Sequence, residues 1–437
     1  MKRTLYIVIL LMLVFNLQDL VAQQRFPKPE FESGYVQPDP TTPEPRSAVL
    51  EYVDVLVLLG VLVLSSLLAL RWRSRKGLFW LSVFTLIYFG FYRNGCICSI
   101  GAIQNVALSF SDPGYVISLT ALLFFLLPLL FTLFFGRVFC GGACPLGAIQ
   151  DLLVLNPVSL PVRLRRTLGI FPYVYLGLAV LFAVTKTDFI ICRYDPFVGI
   201  FRMDTSFHML ALGISFLVMS LFIARPYCRF LCPYGAILNW LSRFSKWHLS
   251  ISPSKCIQCK LCASSCPFDA IDEPLESISG EDTRRQSPRF ILFALLIPVW
   301  IIIGGYALSR TSDILSKVNQ DVYLAELLIS RPDLMDDPDN IDIQTFLSKG
   351  KSLDTLVEES KLIQQQFHRG SWVLGGFIGL VIGIRLLNQM IYRRRTDYMP
   401  DKGECFSCGR CMDYCPVESP ADQNWNAGWL RLKKVKK

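Results

Sequence analysis

Charged residues are scarce in this chain of 437 residues, where they make up 18% of the sequence. Soluble domains carry roughly 25% charged residues, so the shortage excludes an ordinary cytosolic enzyme. A Gly-x-Gly-x-x-Gly fingerprint after a strand and a phosphate-binding loop are both missing, which argues against nicotinamide or ATP chemistry within the chain. The sequence also has no Cys-x-x-Cys-His, which argues against covalently attached haem.

Hydrophobic residues, at 52%, and 15 cysteines are what the sequence has in excess. Apolar surface on this scale needs lipid as its solvent, so we expect a membrane protein. A disulfide scaffold is small, secreted and hydrophilic, and this chain is none of these, so the cysteines indicate metal or redox chemistry. The net charge of +9 comes from basic loops beside the apolar stretches, and no nucleic-acid partner is expected.

The N-terminus has the three parts of a secretory signal peptide: a basic start, an apolar run over residues 5–15 and a small residue, Ala22. Cleavage after Ala22 would make residues 1–22 the signal peptide, and the alternative is an uncleaved first helix. Residues 23–52 contain many proline and polar residues. We expect them to form an extended extracytoplasmic tether.

Seven apolar stretches follow, each near the roughly 20 residues that a helix needs to cross a bilayer. They cover about residues 53–70, 77–92, 115–135, 169–185, 208–224, 290–308 and 371–388. If each crosses once, the basic loops all fall on one side, which the positive-inside rule identifies as the cytoplasm. The insert at 309–370 then lies outside as a few short helices, either a docking cap or a solvated connector. The predicted fold is an all-α polytopic membrane protein with about seven transmembrane helices.

Two copies of one cysteine spacing lie on the predicted cytoplasmic side, within 251–289 and 389–437. They are Cys256-x-x-Cys259-x-x-Cys262-x-x-x-Cys266-Pro267 and Cys405-x-x-Cys408-x-x-Cys411-x-x-x-Cys415-Pro416. In this spacing a compact turn aims three thiolates at one cubane, and the fourth reaches the neighbouring cluster. Structural zinc is the alternative, but it needs only four ligands and rarely uses a terminal Cys-Pro. The pattern resembles the bicluster ferredoxin module.

That resemblance implies that each copy gives three ligands to one [4Fe–4S] cluster and one ligand to the other. The first ligand set is then Cys256, Cys259, Cys262 and Cys415, and the second is Cys405, Cys408, Cys411 and Cys266. Two membrane stretches and the insert separate the copies, yet the topology puts both in the cytoplasm. They can therefore assemble as one cytoplasmic module.

A second cysteine repeat lies within the transmembrane core, residues 53–250. Residues 139–150 and 227–238 share the pattern Cys-x-x-x-Cys-Pro-x-Gly-Ala-Ile, and each follows a stretch that runs from outside to inside. The four cysteines should therefore meet at the cytoplasmic membrane edge, where they match the ligand demand of one further iron–sulfur cluster. They are Cys140, Cys144, Cys228 and Cys232. The alternative is that they pack as small hydrophobic residues.

A degenerate third copy, with Cys96 and Cys98 separated by one residue, lacks the proline and falls on the predicted outer side. Cys192 and Asp195 fall on the same side. We predict a candidate outer metal centre held by Cys96, Cys98, Cys192 and a fourth ligand such as Asp195. The alternative is a free or disulfide-bonded set, which the oxidising side of the membrane permits.

Paired Cys-x-x-x-Cys-Pro motifs among membrane stretches, followed by bicluster ferredoxin cysteines on the same face, resemble the NapH/NosR-type membrane polyferredoxins. The resemblance covers most of residues 80–420 and implies electron transfer across the membrane, from quinol or a cytoplasmic donor to an extracytoplasmic reductase system. The sequence departs from the family in two ways. The short N-terminal region shows no flavin-attachment domain, and the second ferredoxin half follows an additional insert and helix.

We therefore expect an iron–sulfur protein of the bacterial cytoplasmic membrane, in a multi-subunit complex, that moves electrons between a cytoplasmic or quinol donor and an extracytoplasmic acceptor protein. Hydrocarbon about 30 Å thick is too thick for one efficient electron hop, so a carrier needs centres at both edges. One alternative is a quinol dehydrogenase whose own quinone site uses His208 or Asp204. The other is a maturation factor that reduces thiols or metals of an outer protein through Cys96 and Cys98.

Overall fold

The computed structural model describes residues 47–95, 99–203, 205–251, 256–274, 290–332, 341–348, 350, 352–388 and 397–416. Several sequence predictions fall outside the described residues. They are the signal peptide, most of the tether, Asp204, and the two cysteines of the degenerate copy, Cys96 and Cys98.

Helices make up nearly all of the regular structure in the described ranges. In chain order they are α1 Ala48–Ser66, α2 Arg75–Thr85, α3 Ala102–Ser111, α4 Leu119–Phe135, α5 Pro145–Leu152, α6 Val162–Leu168, α7 Phe171–Val184, α8 Ile190–Tyr194, α9 Pro196–Arg202, α10 Phe207–Ser220, α11 Pro226–Phe230, α12 Pro233–Ser242, α13 Leu261–Ser265, α14 Ile297–Ser309, α15 Ser312–Ser316, α16 Gln320–Ser330, α17 Ile341–Ser348, α18 Leu353–Asn388 and α19 Arg410–Asp413. Short π-helical segments occupy Leu67–Arg71, Leu86–Tyr92 and Phe139–Ala143, and the strands are β1 Ile271–Asp272 and β2 Met399–Pro400.

Four of the described helices are long and apolar enough to cross a membrane, and a bent pair adds a fifth if it counts as one span. The four are Val49–Arg71, Val162–Val184, Phe290–Ser309 and Leu353–Asn388, and the pair is α9 with α10. Helix α4 is apolar but has only 17 residues. The described chain is therefore mostly helical, with four or five helices that could span a membrane, and the total of seven stays a prediction.

The last membrane helix is longer than its apolar stretch. Helix α18 is continuous from Leu353 to Asn388, so residues 353–370, expected in the insert, belong to the same helix as 371–388. No proline interrupts this segment, so nothing forces the helix to end at the membrane boundary. Its extended part contributes Leu356 to a small apolar core of the insert, together with residues of α16 and α17.

Glycines bring the last two membrane helices, α14 and α18, into backbone contact. A Cβ on Gly375 would meet the backbone of Gly304, and Gly383 lies against Ile297. Small residues allow such close approach, which is a main source of helix packing in lipid. The two helices are antiparallel, because Gly383 near the end of α18 faces the start of α14. The chain ends that lead to the two ferredoxin-type segments therefore lie at the same end of this pair.

Candidate iron–sulfur centres

The two ferredoxin-type segments form one unit, which we call the ferredoxin unit (residues 256–274 and 397–416). Strands β1 and β2 pair antiparallel, with Ile271 opposite Pro400. The backbone N–H of Asp401 donates to the carbonyl of Ala270 at 2.8 Å. A local pairing of this kind holds the two segments in register although the chain between them passes through α14 and α18.

The first predicted ligand set is brought together inside this unit. Burial raises the pKa of the Cys262 thiol, and the neighbouring thiols of Cys256, Cys259 and Cys415 raise it further. Cys415 thus lies beside the three cysteines of the other segment. This is the crossed arrangement that the bicluster spacing implies.

The second predicted set shows the reciprocal arrangement. Burial raises the pKa of Cys405 to about 12, and the thiols of Cys408 and Cys266 add to the effect. Burial also raises the pKa of Cys411, and the thiols of Cys405, Cys408 and Cys266 raise it further, followed by Cys262 of the first set. Cys266 therefore lies with the three cysteines of the second segment.

The four cysteines of the membrane-edge repeat surround one cavity, which we call the cysteine cavity. Its lining consists of these cysteines with Ile100, Arg137, Phe139, Gly147, Tyr234, Gly235 and Leu238, the cysteines being Cys140, Cys144, Cys228 and Cys232. The motif that follows each membrane helix thus points its thiols at a shared space. The two pairs come from two separate segments of the chain, and their number matches the four ligands that a cubane would need.

Burial and charge at the cysteine cavity fit an anionic iron–sulfur cluster. Burial raises the pKa of Cys228 to about 12, so its thiolate needs cationic partners to form at neutral pH. The Nη2 of Arg137 lies 3.8 Å from the Sγ of Cys140, and Arg225 donates to the Cys140 carbonyl. Arg137 and Arg225 are 3% and 0% exposed. Two buried cations beside two buried and two half-buried cysteines are what iron and sulfide bound by thiolates would need.

Among the described residues, no three His, Cys, Asp or Glu side chains converge closely enough to hold a single metal ion. A cubane is larger than one ion, so its four thiolates stand around its corners rather than around a point. The groups of thiols described above have this more open form. We therefore interpret them as cluster sites.

A glutamine connects the first copy of the membrane-edge repeat, and likewise the degenerate copy, to the next cysteine segment. Gln150 accepts a hydrogen bond from the backbone N–H of Tyr227 at 3.1 Å and donates to the Sγ of Cys228 at 3.4 Å. In the degenerate copy, Gln104 accepts from the N–H of Ile191 at 2.9 Å, next to Cys192. The degenerate copy therefore contacts the Cys192 segment as the intact copy contacts the Cys228 segment.

The cysteine cavity and the ferredoxin unit meet in a dry junction. Phe268 and Phe406, whose ring centroids are 4.7 Å apart, pack in one apolar cluster with Cys140, Cys228 and Cys408. A Cβ on Gly141 would lie only 2.8 Å from the Phe406 carbonyl, so glycine is required for this close approach.

Both buried arginines face the ring of Phe406. The guanidinium of Arg137 lies 4.1 Å from the ring centroid, and that of Arg225 lies 5.7 Å from it. Arg137 also donates to the Gly403 carbonyl at 3.0 Å. The arginines thus hold the ferredoxin unit against the membrane core through aromatic faces and backbone carbonyls.

Asp151 ties three arginines together at the same junction. Its carboxylate accepts from Arg75 at 2.7 Å and from Arg410 at 3.1 Å, and it lies 3.6 Å from Arg225. Burial alone would raise the pKa of Asp151, but these three cations hold it well below its usual range. Arg410 comes from the ferredoxin unit and Arg75 from α2, so one buried carboxylate links the two parts.

Cys192 and Asp195 line a second, more polar cavity of about 260 Å³, which we call the polar cavity. Gly95 and Gly101, on either side of the Cys96 and Cys98 segment, line it as well. Asp195 is buried beside the hydroxyl of Tyr227 at 3.3 Å, and burial raises its pKa to about 6. The described part of the predicted outer set therefore lies around one space.

Of the two residues proposed from sequence for a quinone site, His208 is exposed and does not line this cavity. Asp204 lies outside the described residues. The polar cavity is instead lined by Asp54, which is fully buried within an apolar helix and pairs with Arg93 at 2.9 Å. An acidic residue inside a membrane span is a signal of function that sequence reasoning passed over.

Comparison with known proteins identifies the family to which this chain is related. Families described as 4Fe-4S binding domains match residues 117–166 with 205–252, residues 249–272 and residues 402–418. An uncharacterized protein of Methanocaldococcus jannaschii is 30% identical over 191 residues, which cover 42% of this chain and 77% of the relative. The chain belongs to the NapH/NosR-type membrane polyferredoxins. No solved structure matches this polyferredoxin.

Other relatives are longer than the shared region. The regulatory protein NosR of Stutzerimonas stutzeri is 29% identical over 208 residues, which cover 43% of this polyferredoxin and 28% of NosR. The methylamine utilization ferredoxin-type protein MauN of Paracoccus denitrificans is 29% identical over 162 residues, covering 36% and 56% of the two chains. With the matches to the 4Fe-4S binding domain families, these relatives make this polyferredoxin an iron–sulfur electron transport protein.

Proposed function

We propose that this polyferredoxin conducts electrons across the cytoplasmic membrane, between a cytoplasmic donor and an extracytoplasmic acceptor protein. The observation that carries the proposal is the buried junction at Phe406. It brings the cysteine cavity of the membrane core into contact with the ferredoxin unit. Iron–sulfur clusters, when bound by the three cysteine sets, supply one-electron carriers.

Side chains of this chain exclude water from the route between the cysteine cavity and the ferredoxin unit, and they place positive charge beside it. Phe268 and Phe406 are 2% and 3% exposed, so the space between the two cysteine groups is dry. Arg137 and Arg225 place positive charge beside the cysteine cavity, where it stabilises added negative charge in a low-dielectric setting. No proton-transfer group is needed for such a role.

The proposed orientation puts the ferredoxin unit in the cytoplasm. It requires that α2 with its π-helical extension, and the shorter α4, cross the membrane in addition to the clear spans, giving seven. The basic loops support this, since all then lie on one side. The insert containing α15, α16 and α17 is then extracytoplasmic, where it would meet the acceptor. The name of the relative MauN, a methylamine utilization ferredoxin-type protein, supports the proposal that this chain acts together with other proteins in a complex.

An outer centre completes the proposed route. Asp195 precedes Pro196 and accepts from the N–H of Phe197 at 2.9 Å, as Cys232 precedes Pro233 and accepts from the N–H of Gly235 at 3.3 Å. Asp195 therefore occupies the place of the last cysteine in the repeat. This correspondence supports Asp195 as the fourth ligand, with Cys96, Cys98 and Cys192.

Replacing Cys96 and Cys98 together by serine is expected to lower the iron content by about four atoms per chain, if the outer centre is a cubane. Asp195→Cys should keep that iron and change the centre's electron paramagnetic resonance spectrum. Asp188→Cys, at a nearby carboxylate that pairs with Arg193, should change neither quantity. Unchanged iron in the double serine variant would leave the outer cysteines as free or disulfide-bonded residues.

Quinol dehydrogenation is the second candidate function, and the cavities favour it. A small apolar space, lined by Phe89, Phe124, Phe139 and Phe201, shares Phe124 with the polar cavity and Cys144 with the cysteine cavity. A quinol ring bound at the polar end would have Asp54 and Asn105 as hydrogen-bonding partners. It would be joined to the cysteines through aromatic side chains.

Transport in sealed vesicles tests the proposal. We expect full-length protein in liposomes to reduce a trapped, impermeant oxidant when a cytoplasmic-type ferredoxin or flavoprotein reductant is added outside. Protein-free vesicles are the control. Reduction of the clusters by a quinol analogue alone would favour the dehydrogenase instead. Loaded clusters without any transmembrane reduction would contradict the conduit.

A further inference from the structure

A further cavity borders the cysteine cavity and has five arginines in its lining. Arg137, Cys228 and Gly235 line both spaces. We call this further cavity the arginine cavity; its charged lining is Arg137, Arg165, Arg166, Arg229, Arg385 and Glu404. Its volume is about 120 Å³. Since a liquid water occupies roughly 30 Å³, the space holds about four waters, which is comparable with one phosphate group.

Positive charge in this cavity exceeds the negative charge of the described residues around it. Asp269 offsets part of it, because it lies 3.7 Å from Arg165 and 3.9 Å from Arg229. Five guanidinium groups line the cavity, and their carboxylate neighbours are Glu404 and Asp269. Arg137 also donates to the Gly403 carbonyl and lies beside the Sγ of Cys140, so the excess positive charge rests on the other four arginines. Like charges at this density repel one another unless an anion lies between them.

A buried donor in the cavity lacks a protein partner. Arg229 donates through Nη2 to the Phe268 carbonyl at 2.9 Å, but its Nη1 has no hydrogen-bond acceptor among the described residues. The Arg229 side chain is only 4% exposed, so bulk water does not satisfy this nitrogen. Leaving a charged donor unpaired in a buried place is costly, and a bound anion would remove the cost.

The cavity lies where two membrane helices end. Gly169 and Tyr173, near the start of the Val162–Val184 span, line it, as does Arg385, near the end of α18. Arg385 donates to the Gly169 carbonyl at 2.7 Å and so closes this side. A membrane–water boundary is where lipid headgroups carry their phosphates.

We propose that the arginine cavity binds a phosphate group, supplied either by the headgroup of an acidic phospholipid or by free phosphate. Arginine pairs with phosphate through parallel N–H···O bonds, and several guanidinium groups around one site favour this anion over a carboxylate. Positive-inside residues at a membrane edge are ordinarily exposed, as Arg163 and Arg166 are on α6. The burial of Arg229, whose Nη1 has no acceptor among the described residues, marks a binding site instead.

Binding to the full-length protein, purified in detergent and stripped of lipid, tests this proposal. The probes are phosphatidylglycerol, followed by native mass spectrometry, and inorganic phosphate, followed by the shift of the thermal unfolding midpoint. We expect Arg166→Gln to weaken binding about tenfold, because a charge-assisted hydrogen bond is lost. Arg163→Gln, one turn away on α6 but outside the cavity, should bind like the unchanged protein.

The two probes distinguish a lipid headgroup from free phosphate as the source of the bound phosphate group. Binding of phosphatidylglycerol alone would identify a lipid headgroup site, binding of inorganic phosphate alone a soluble phosphate site, and binding of both a general phosphate site. If the Arg229→Gln variant folds, it should weaken phosphate binding more strongly than Arg166→Gln does. If it does not fold, the binding measured for Arg166→Gln tests the proposal. Absence of binding by both probes, or equal weakening by Arg163→Gln, overturns the proposal.

Discussion

Cys228→Ser is expected to remove one complete cluster while the fold survives. Cys228 lines the cysteine cavity, and serine has nearly the same volume, so Gln150 keeps a hydrogen-bonding partner there. A hydroxyl is a poor substitute for a thiolate as an iron ligand. Iron and sulfide should fall by about four atoms each per chain, and transmembrane reduction in vesicles should be lost. Chemical analysis with electron paramagnetic resonance on anaerobically purified protein measures the first effect.

Cys259→Ser is the matched control for this prediction. Cys259 is the most exposed cysteine of the first ferredoxin set, and the same substitution there should cost a similar amount of iron. The spectrum should differ, because the membrane-edge signal remains in Cys259→Ser and disappears in Cys228→Ser. If Cys228→Ser keeps all its iron, the membrane-edge cysteines are packing residues and the conduit loses its middle centre.

The sequence was informative wherever chemistry depends on local spacing. Three cysteines at three-residue intervals followed by Cys-Pro can be recognised in the sequence alone, and they predict ferredoxin-type cluster ligands. The structure brings together the same three groups of cysteines that the spacing suggested. Iron ligation by these groups remains a prediction, because proximity of thiols does not establish which atoms they bind.

Tertiary contacts between distant residues were not predictable in this way. Arg225 and Phe406 are far apart in the sequence, and neither belongs to a ligand motif, so their contact appears only when the chain is folded. Hydropathy likewise located the apolar part of α18 but not its start. Apolar content reports contact with lipid, whereas the polar first part of α18 is stabilised by packing of Leu356 in the core of the insert.

The second large effect is expected from Asp151→Asn, which removes the buried carboxylate at the junction. Arg75, Arg225 and Arg410 would lose their shared anion, and removing one partner of a buried ion pair costs about 3–5 kcal/mol. The midpoint of denaturant unfolding should fall accordingly, followed by circular dichroism and by cluster absorbance. Asp188→Asn, at a pair whose Arg193 side chain is 65% exposed, should change stability by less than about 1 kcal/mol.

The dependence of stability on acid pH tests whether the negative charge of Asp151, and not only the shape of its side chain, stabilises the junction. The pKa of Asp151 in the folded protein lies below the ordinary value of 3.8, so its carboxylate contributes fully to stability above that value. The contribution is lost as the pH falls through the lower folded pKa. Asp151→Asn should therefore remove part of the stability difference between pH 7 and acid conditions. Because Arg410 belongs to the ferredoxin unit, cluster absorbance should decay before the membrane helices unfold. An unchanged acid profile in the variant would mean that Asp151 is dispensable as the charged link between the ferredoxin unit and the membrane core.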